Sequence, residues 1–299
     1  MNSRYQIIKQ IGVGGSSVVY QTYDRRADRF VALKRPHHTG FKRTTRREPE
    51  PSLLAREYMV VARLRHPNII QVLDFGFDDD LHPFLVMELL DGASSLDRAS
   101  LVLRWSDRVA ILFQTLLALS YLHRHGLLHR DVKPPNILVW MSSGGPRAKL
   151  LDFGLAALQS DDCVLGIHGE GSVDYMPPEI QRGVKPSTDL DLFAVGILAY
   201  ELLIGVHPLR ERTMFERLLG SWGNVCIPQH DEKLSPALAK VLCRALNRDR
   251  KERYSDAMQF ATELAQATEM QVPLETADVH APHPFLGTPT AGASEQRFL

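Results

Sequence analysis

Residues 129–139 read HRDVKPPNILV, a run that leaves the chain few ways to fold around it. Three side chains of demanding chemistry, Asp131, Lys133 and Asn136, are crowded together. Two prolines among them can neither extend a helix nor pair inside a sheet. Ile137-Leu138-Val139 then begins a run of strand formers. The polar residues therefore sit on a loop entering a strand. Sixteen positions after Asn136 comes Asp152, in Asp152-Phe153-Gly154. Asp131 can accept or orient a hydroxyl proton, and Lys133 can neutralise charge on a transferring anionic group. Asn136 offers an amide oxygen and Asp152 a carboxylate to a hard cation.

The rest of the chain supplies a scaffold in two parts. Up to about residue 89 it is rich in strand formers: Tyr5–Ile11, Val18–Tyr23, Phe30–Lys34, Ile70–Phe75 and Phe84–Glu88, with one helical stretch over Ser52–Leu64 that His66-Pro67-Asn68 stops. After Asp91-Gly92 the pattern turns helical, over Trp105–His123, 190–204, 235–247 and 255–268. The expectation is an α+β, two-lobed arrangement with a cleft between the lobes: 1–89 a small β-rich lobe, 90–268 a large helical lobe, 269–299 a disordered tail or linker. The tail is rich in Pro, Ala, Thr and Gly, and residues 35–51 form a basic, irregular insertion.

Charge and cysteine content narrow the function classes. Lys+Arg and Asp+Glu balance at 35 each over 299 residues, so no global field draws the chain to nucleic acid or an anionic membrane. Cys163, Cys226 and Cys243 lack metal or disulfide spacing and read as free thiols of a reducing, cytoplasmic setting. No secretory h-region opens the sequence. The apolar run 192–206 is short and carries Glu201, which fits a buried helix rather than a membrane span. No feature specifies an oligomer.

Upstream of the central loop lie weaker signals that gain meaning from their order. Gly12-Val13-Gly14-Gly15 joins two strands and can bring backbone N–H groups close to phosphates. Val31-Ala32-Leu33-Lys34 ends the next strand with a compact charge suited to phosphate. Glu57, one helix later, is a natural partner for that ammonium. Downstream, Gly171 to Glu179 ends the segment that Asp152 begins, and Glu179 is expected to pair with Arg253.

In this order the motifs resemble those of the eukaryotic-like (Hanks-type) serine/threonine protein kinases, the bacterial branch in particular, over about residues 5–265. The resemblance implies ATP bound beneath Ile11, Gly12, Gly14 and Gly15, between Val19, Ala32 and Leu138, with Met87 at the back and the hinge at Glu88–Leu90. It implies Lys34 and Glu57 as a catalytic ion pair and Asp131 and Lys133 as the phosphoryl-transfer residues. Asn136 and Asp152 become ligands of magnesium, or manganese in its place, and Asp191 braces the central loop. Protein substrates and autophosphorylation follow from the same likeness. Ser17 replaces a usual glycine, Ser172 a usual threonine and Pro177 a usual alanine. A pseudokinase scaffold would need a lost catalytic residue, and a small-molecule phosphotransferase would generally lack Met176-Pro177-Pro178-Glu179. Between Asp152 and Glu179 there is no threonine. The partner expected for Arg130 is therefore an acidic side chain (Asp161, Asp162 or Glu170) or phosphorylated Ser160. Thr44 and Thr45 in the basic insertion are further candidate phosphorylation positions.

Overall fold

The computed structural model describes residues 4–14, 17–36, 62, 64–78, 82–152, 157–158, 173–181, 184–209 and 234–272. The N-terminal part is a five-stranded antiparallel sheet. Its strands are β1 (Tyr5–Val13), β2 (Ser17–Asp24), β3 (Arg29–Pro36), β4 (Val72–Phe77) and β5 (Pro83–Glu88), in the order β1-β2-β3-β5-β4. The alternating apolar residues of these strands close a small core of Tyr5, Val31, Leu33, Phe84 and Val86. Gly76 is required there, because a Cβ on it would lie 2.6 Å from the Phe84 ring. The sequence holds an earlier Asp-Phe-Gly at Asp74-Phe75-Gly76, and there Asp74 has a structural role: it accepts from Arg4 and from the Tyr5 hydroxyl, each at 2.5 Å.

The C-terminal part is mostly helical. Short elements come first: β6 (Ser94–Ser95) and α1 (Leu96–Ala99). The long helix α2 (Trp105–Arg124) follows, then β7 (Leu127–Leu128) and the hairpin β8 (Ile137–Ser142) and β9 (Gly145–Leu150). β10 (Ala157–Leu158) pairs with β7, and α3 (Pro178–Gln181) leads to α4 (Thr188–Ile204). α5 (Pro236–Ala245) and α6 (Ala257–Thr268) complete the described elements. Nearly every side chain of α4 is buried, which explains why its sequence is apolar on all sides. It stops at Gly205, whose φ of 92° suits a left-handed cap that a side chain would strain. α5 starts with Pro236 behind Ser235, whose hydroxyl accepts from Leu238 N at 3.1 Å.

The expected strand at 70–75 is displaced: β4 begins at Val72. The backbone just before it is committed elsewhere. Leu150 N donates to Asn68 O at 2.8 Å, and Ile70 N donates to Leu150 O at 3.0 Å. Residues 68–70 thus lie as a parallel bridge along the end of β9, in the other lobe. The expected helix at 52–64 lies almost wholly outside the described residues. No helix among the described residues is long and apolar enough to cross a membrane.

Candidate functional site

Four elements carry the candidate side chains: β3, the loop after β7, the strand pair β8–β9, and the residues following β9. The loop is built first. Arg130 has φ 67° and Asp152 φ 63°, conformations that cost a non-glycine residue energy and need outside support. For the loop, Asp191 of α4 supplies it. Its carboxylate, fully buried, accepts from His129 N at 2.9 Å and from Arg130 N at 2.8 Å. The same carboxylate meets His123 Nε2 of α2 at 2.8 Å. Burial alone would raise the Asp191 carboxyl. The His123 hydrogen bond, with the charges of His123 and His129, outweighs it and holds the group below the usual carboxylate range. His129 packs without solvent exposure and reaches Leu151 O at 2.8 Å, tying the loop to the residue before Asp152.

Within the loop, Asp131 is held from two sides. Lys133 Nζ lies 2.9 Å from Asp131 Oδ2. Asn136 Nδ2 donates to Asp131 O and to Asp131 Oδ2, both at 2.8 Å. With its nitrogen so engaged, the Asn136 amide keeps its oxygen as its acceptor group. From the sheet, Lys34 Nζ lies 2.5 Å from Asp152 Oδ1. β3 carries Lys34 opposite Val19 of β2 and Leu85 of β5. Ala32 and Met87, directly paired and both buried, close the apolar back of this region, with Val19 packed against the same core. Gly12 faces Val19 across β1–β2, and Gly14 N donates to Ser17 O at 2.8 Å to close the turn. Ile11 is exposed on β1. Leu138 lies half-buried on β8, and Leu90 half-buried beyond β5.

A family model described as the protein kinase domain matches residues 5–268. The chain belongs to that family. It is 34% identical over 294 residues to the serine/threonine-protein kinase PknL of Mycobacterium tuberculosis, covering 91% of this chain and 68% of that protein. It is 33% identical over 275 residues to the kinase pkn3 of Myxococcus xanthus, at 87% and 49% coverage. With a probable serine/threonine-protein kinase, PknB, of Lactococcus lactis it shares 32% over 278 residues, at 89% and 42%. The chain therefore spans less than half the length of the last two relatives. Family membership carries with it the use of ATP and a divalent metal in general.

Other kinase features fall into place around the cleft. Arg253 donates from Nη1 to Glu179 Oε1 at 2.6 Å and from Nη2 to Oε2 at 3.0 Å, the expected pair, with the guanidinium almost wholly buried over the Phe193 ring. Tyr175 donates to Glu201 Oε2 at 2.5 Å, and burial, then that bond, push its hydroxyl far above the ordinary tyrosine range. Gly15, Glu57, Phe153, Gly154, Ser160, Asp161, Asp162, Glu170 and Ser172 lie outside the described residues, as do Thr44 and Thr45.

Sequence reasoning missed several residues. Asn68 and Gln114 form a buried amide pair: Asn68 Nδ2 donates to Gln114 Oε1 and to Ala148 O, each at 2.9 Å. Gln114 Oε1 also accepts from Ala148 N at 2.7 Å, so a side-chain amide completes the open edge of β9. His123 and Lys149 were likewise unmarked. All four act through partners distant in sequence. Only Asn68, in the His-Pro-Asn stop, stood beside a recognisable signal.

Proposed function

We propose that the chain transfers the γ-phosphoryl group of ATP to Ser or Thr hydroxyls of proteins. The observation that carries this reading is the Asp131 carboxylate fixed by Lys133 and Asn136, together with the Lys34–Asp152 ion pair that joins β3 to the residues after β9. The hydroxyl oxygen of the acceptor bonds to the γ-phosphorus as the bond to the β,γ-bridging oxygen breaks, and ADP leaves. Asp131 orients the hydroxyl and takes its proton. Lys133, beside it, offsets charge on the transferring group. Lys34 serves the α- and β-phosphates, with Glu57 as its second partner. Gly12, Gly14 and Gly15 present backbone N–H groups, while Ile11, Val19, Ala32, Met87 and Leu138 enclose the adenine against the backbone of Glu88–Leu90.

Asn136 and Asp152 would hold magnesium. One amide oxygen and one carboxylate suit a small hard cation that keeps water and phosphate oxygens as its other ligands. When bound, the ion supplies neutralisation of phosphate charge. Protein substrates and a cytoplasmic setting belong to the same reading, supported by the names of the relatives and the cysteine pattern.

The test is incubation of the purified chain with labelled ATP and magnesium, beside Asp131→Asn, with mapping of phosphorylated residues. The expected result is label on Ser or Thr in the wild type and a loss of about 10²–10⁴-fold in the variant, with nucleotide binding retained. Nucleotide binding without any transfer to itself or to generic protein substrates would overturn the reading in favour of a binding module.

A further inference from the structure

Glu88 is the last residue of β5 and opens the hinge, and its carboxylate is engaged by two groups from outside the hinge. Its Oε1 accepts from Gln71 N at 2.7 Å and pairs with Lys149 Nζ of β9. Glu88 N in turn donates to Gln71 O at 3.0 Å. Lys149 lies directly opposite Leu138 in the β8–β9 register and three residues before Asp152. Both charged side chains are largely covered, 14% exposed for Lys149 and 24% for Glu88. A long lysine held in this way loses rotamer freedom, which a surface ornament would not repay.

We infer that Lys149 is a positioning residue for nucleotide, acting through Glu88. In the antiparallel register, Leu138 and Lys149 share a face of their hairpin, so the ammonium stands beside the residue proposed as the adenine floor. Its bond to Glu88 then fixes the separation between that floor, in the helical lobe, and the hinge backbone, which belongs to the sheet. Gln71 holds the same carboxylate from the sheet side. The hinge is thereby set at one spacing before nucleotide arrives, and adenine meets a preformed slot rather than having to order one. Without the ammonium, Glu88 keeps an unbalanced carboxylate beside Gln71 and can swing the hinge toward water.

The inference rests on the nucleotide-binding reading of the cleft, and the test separates the two. The full chain is titrated with a fluorescent ATP analogue, and ATP KM and kcat are measured. The chains compared are wild type, Lys149→Met, Lys149→Arg, Glu88→Gln, the double variant Lys149→Met with Glu88→Gln, and the swap Lys149→Glu with Glu88→Lys. The expected result is an ATP Kd and KM raised about tenfold in Lys149→Met, with kcat at saturating ATP within about twofold of wild type. Lys149→Arg should bind within about threefold of wild type, and the double variant should be no weaker than Lys149→Met. The swap restores the charge pair but not the acceptor for Gln71 N and should recover only part of the loss; Glu88→Gln, whose amide oxygen can still accept from Gln71 N, should weaken binding much as Lys149→Met does, which keeps the test decisive if Lys149→Met folds poorly. Unchanged nucleotide affinity in a folded Lys149→Met, or a loss in kcat with KM unmoved, would overturn the role of the pair. A wild type that binds no nucleotide would instead overturn the reading of the cleft, and the pair's role with it.

Discussion

Asn136 makes two bonds with one amide nitrogen, to the backbone and to the carboxylate of Asp131. That double donation restrains the Asp131 rotamer and uses the amide's donor end, so its oxygen remains the acceptor end. Lys133 adds a charge on the same carboxylate oxygen. A residue so constrained loses little entropy when a hydroxyl arrives, which is the physical content of a positioned base. Arg253 shows the opposite use of a charge. Its guanidinium is 1% exposed and spends its donors on Glu179, Asn247 O and Arg248 O. Removing Glu179 would leave that cation buried with backbone carbonyls and the more distant Asp189, whose Oδ2 is 3.9 Å from Nη1 and already pairs with Arg250 at 2.7 Å. Glu179→Ala should therefore lower unfolding free energy by about 3–5 kcal/mol, read from denaturant midpoints. Glu179→Ala joined to Arg253→Met should recover part of the loss, because the buried cation is gone and Asp189 keeps its pair with Arg250. Equal losses in the single and double variants would show that the guanidinium packing matters more than its charge.

At the scale of elements, α4 and α5 approach so closely that only glycine fits between them at residue 196. A Cβ on Gly196 would lie 2.9 Å from Ala245 Cβ and 3.0 Å from Leu246 Cδ2, both on buried residues. Gly196→Ala should cost about 1–3 kcal/mol in overpacking and regain about 1 kcal/mol in helix propensity. The expected outcome is a thermal midpoint a few degrees lower, about 2–4 °C for each kcal/mol of net loss; a higher midpoint would mean the helices separate without cost. This closeness was invisible in the sequence, where α4 was legible only as a continuous apolar run. The long elements were readable because their periods are set locally: α2 and α6 by helical spacing, β1 to β3 by strand formers between turns. The two-residue strands β6, β7 and β10 were not, since a strand that short exists only through its partner. The central loop was legible because its polar groups are contiguous. Lys149 and Gln114 were not, because the first finds Glu88 61 residues away and the second Asn68 46 away.

The whole molecule is joined at the hinge and again where residues 66–70 leave the sheet and lie on β9 and α2. His66 is the titratable group of that second junction. It is buried, its Nδ1 accepts from Asn68 N at 3.1 Å, and its ring lies 5.1 Å from that of Tyr121. Tyr121 accepts in turn from Arg65 N at 3.1 Å. Burial, then the positive charges of Arg124 and Lys149, lower the imidazole from 6.5 to about 4. The native state therefore refuses a proton that the unfolded chain takes up near pH 6.5. Above that pH both states are neutral and His66 adds no slope. As pH falls from about 6.5 toward about 4, the unfolded state binds the extra proton and stability declines, by about 1.4 kcal/mol per unit and about 3 kcal/mol in all. Below about pH 4 the native imidazole is protonated too, and the loss levels off. The carboxyls of Asp24, Asp107 and Glu263, each held low in the native state, destabilise the fold as pH falls through the lower part of this range. The His66 contribution is isolated by difference, comparing the pH dependence of denaturant stability for wild type and His66→Phe. The variant should show a shallower slope between pH 6.5 and 5, where carboxyl titration is small, whatever its absolute stability. Parallel curves over that interval would mean that the junction admits the imidazolium, and that residues 66–70 open from β9 more readily than their hydrogen bonds imply.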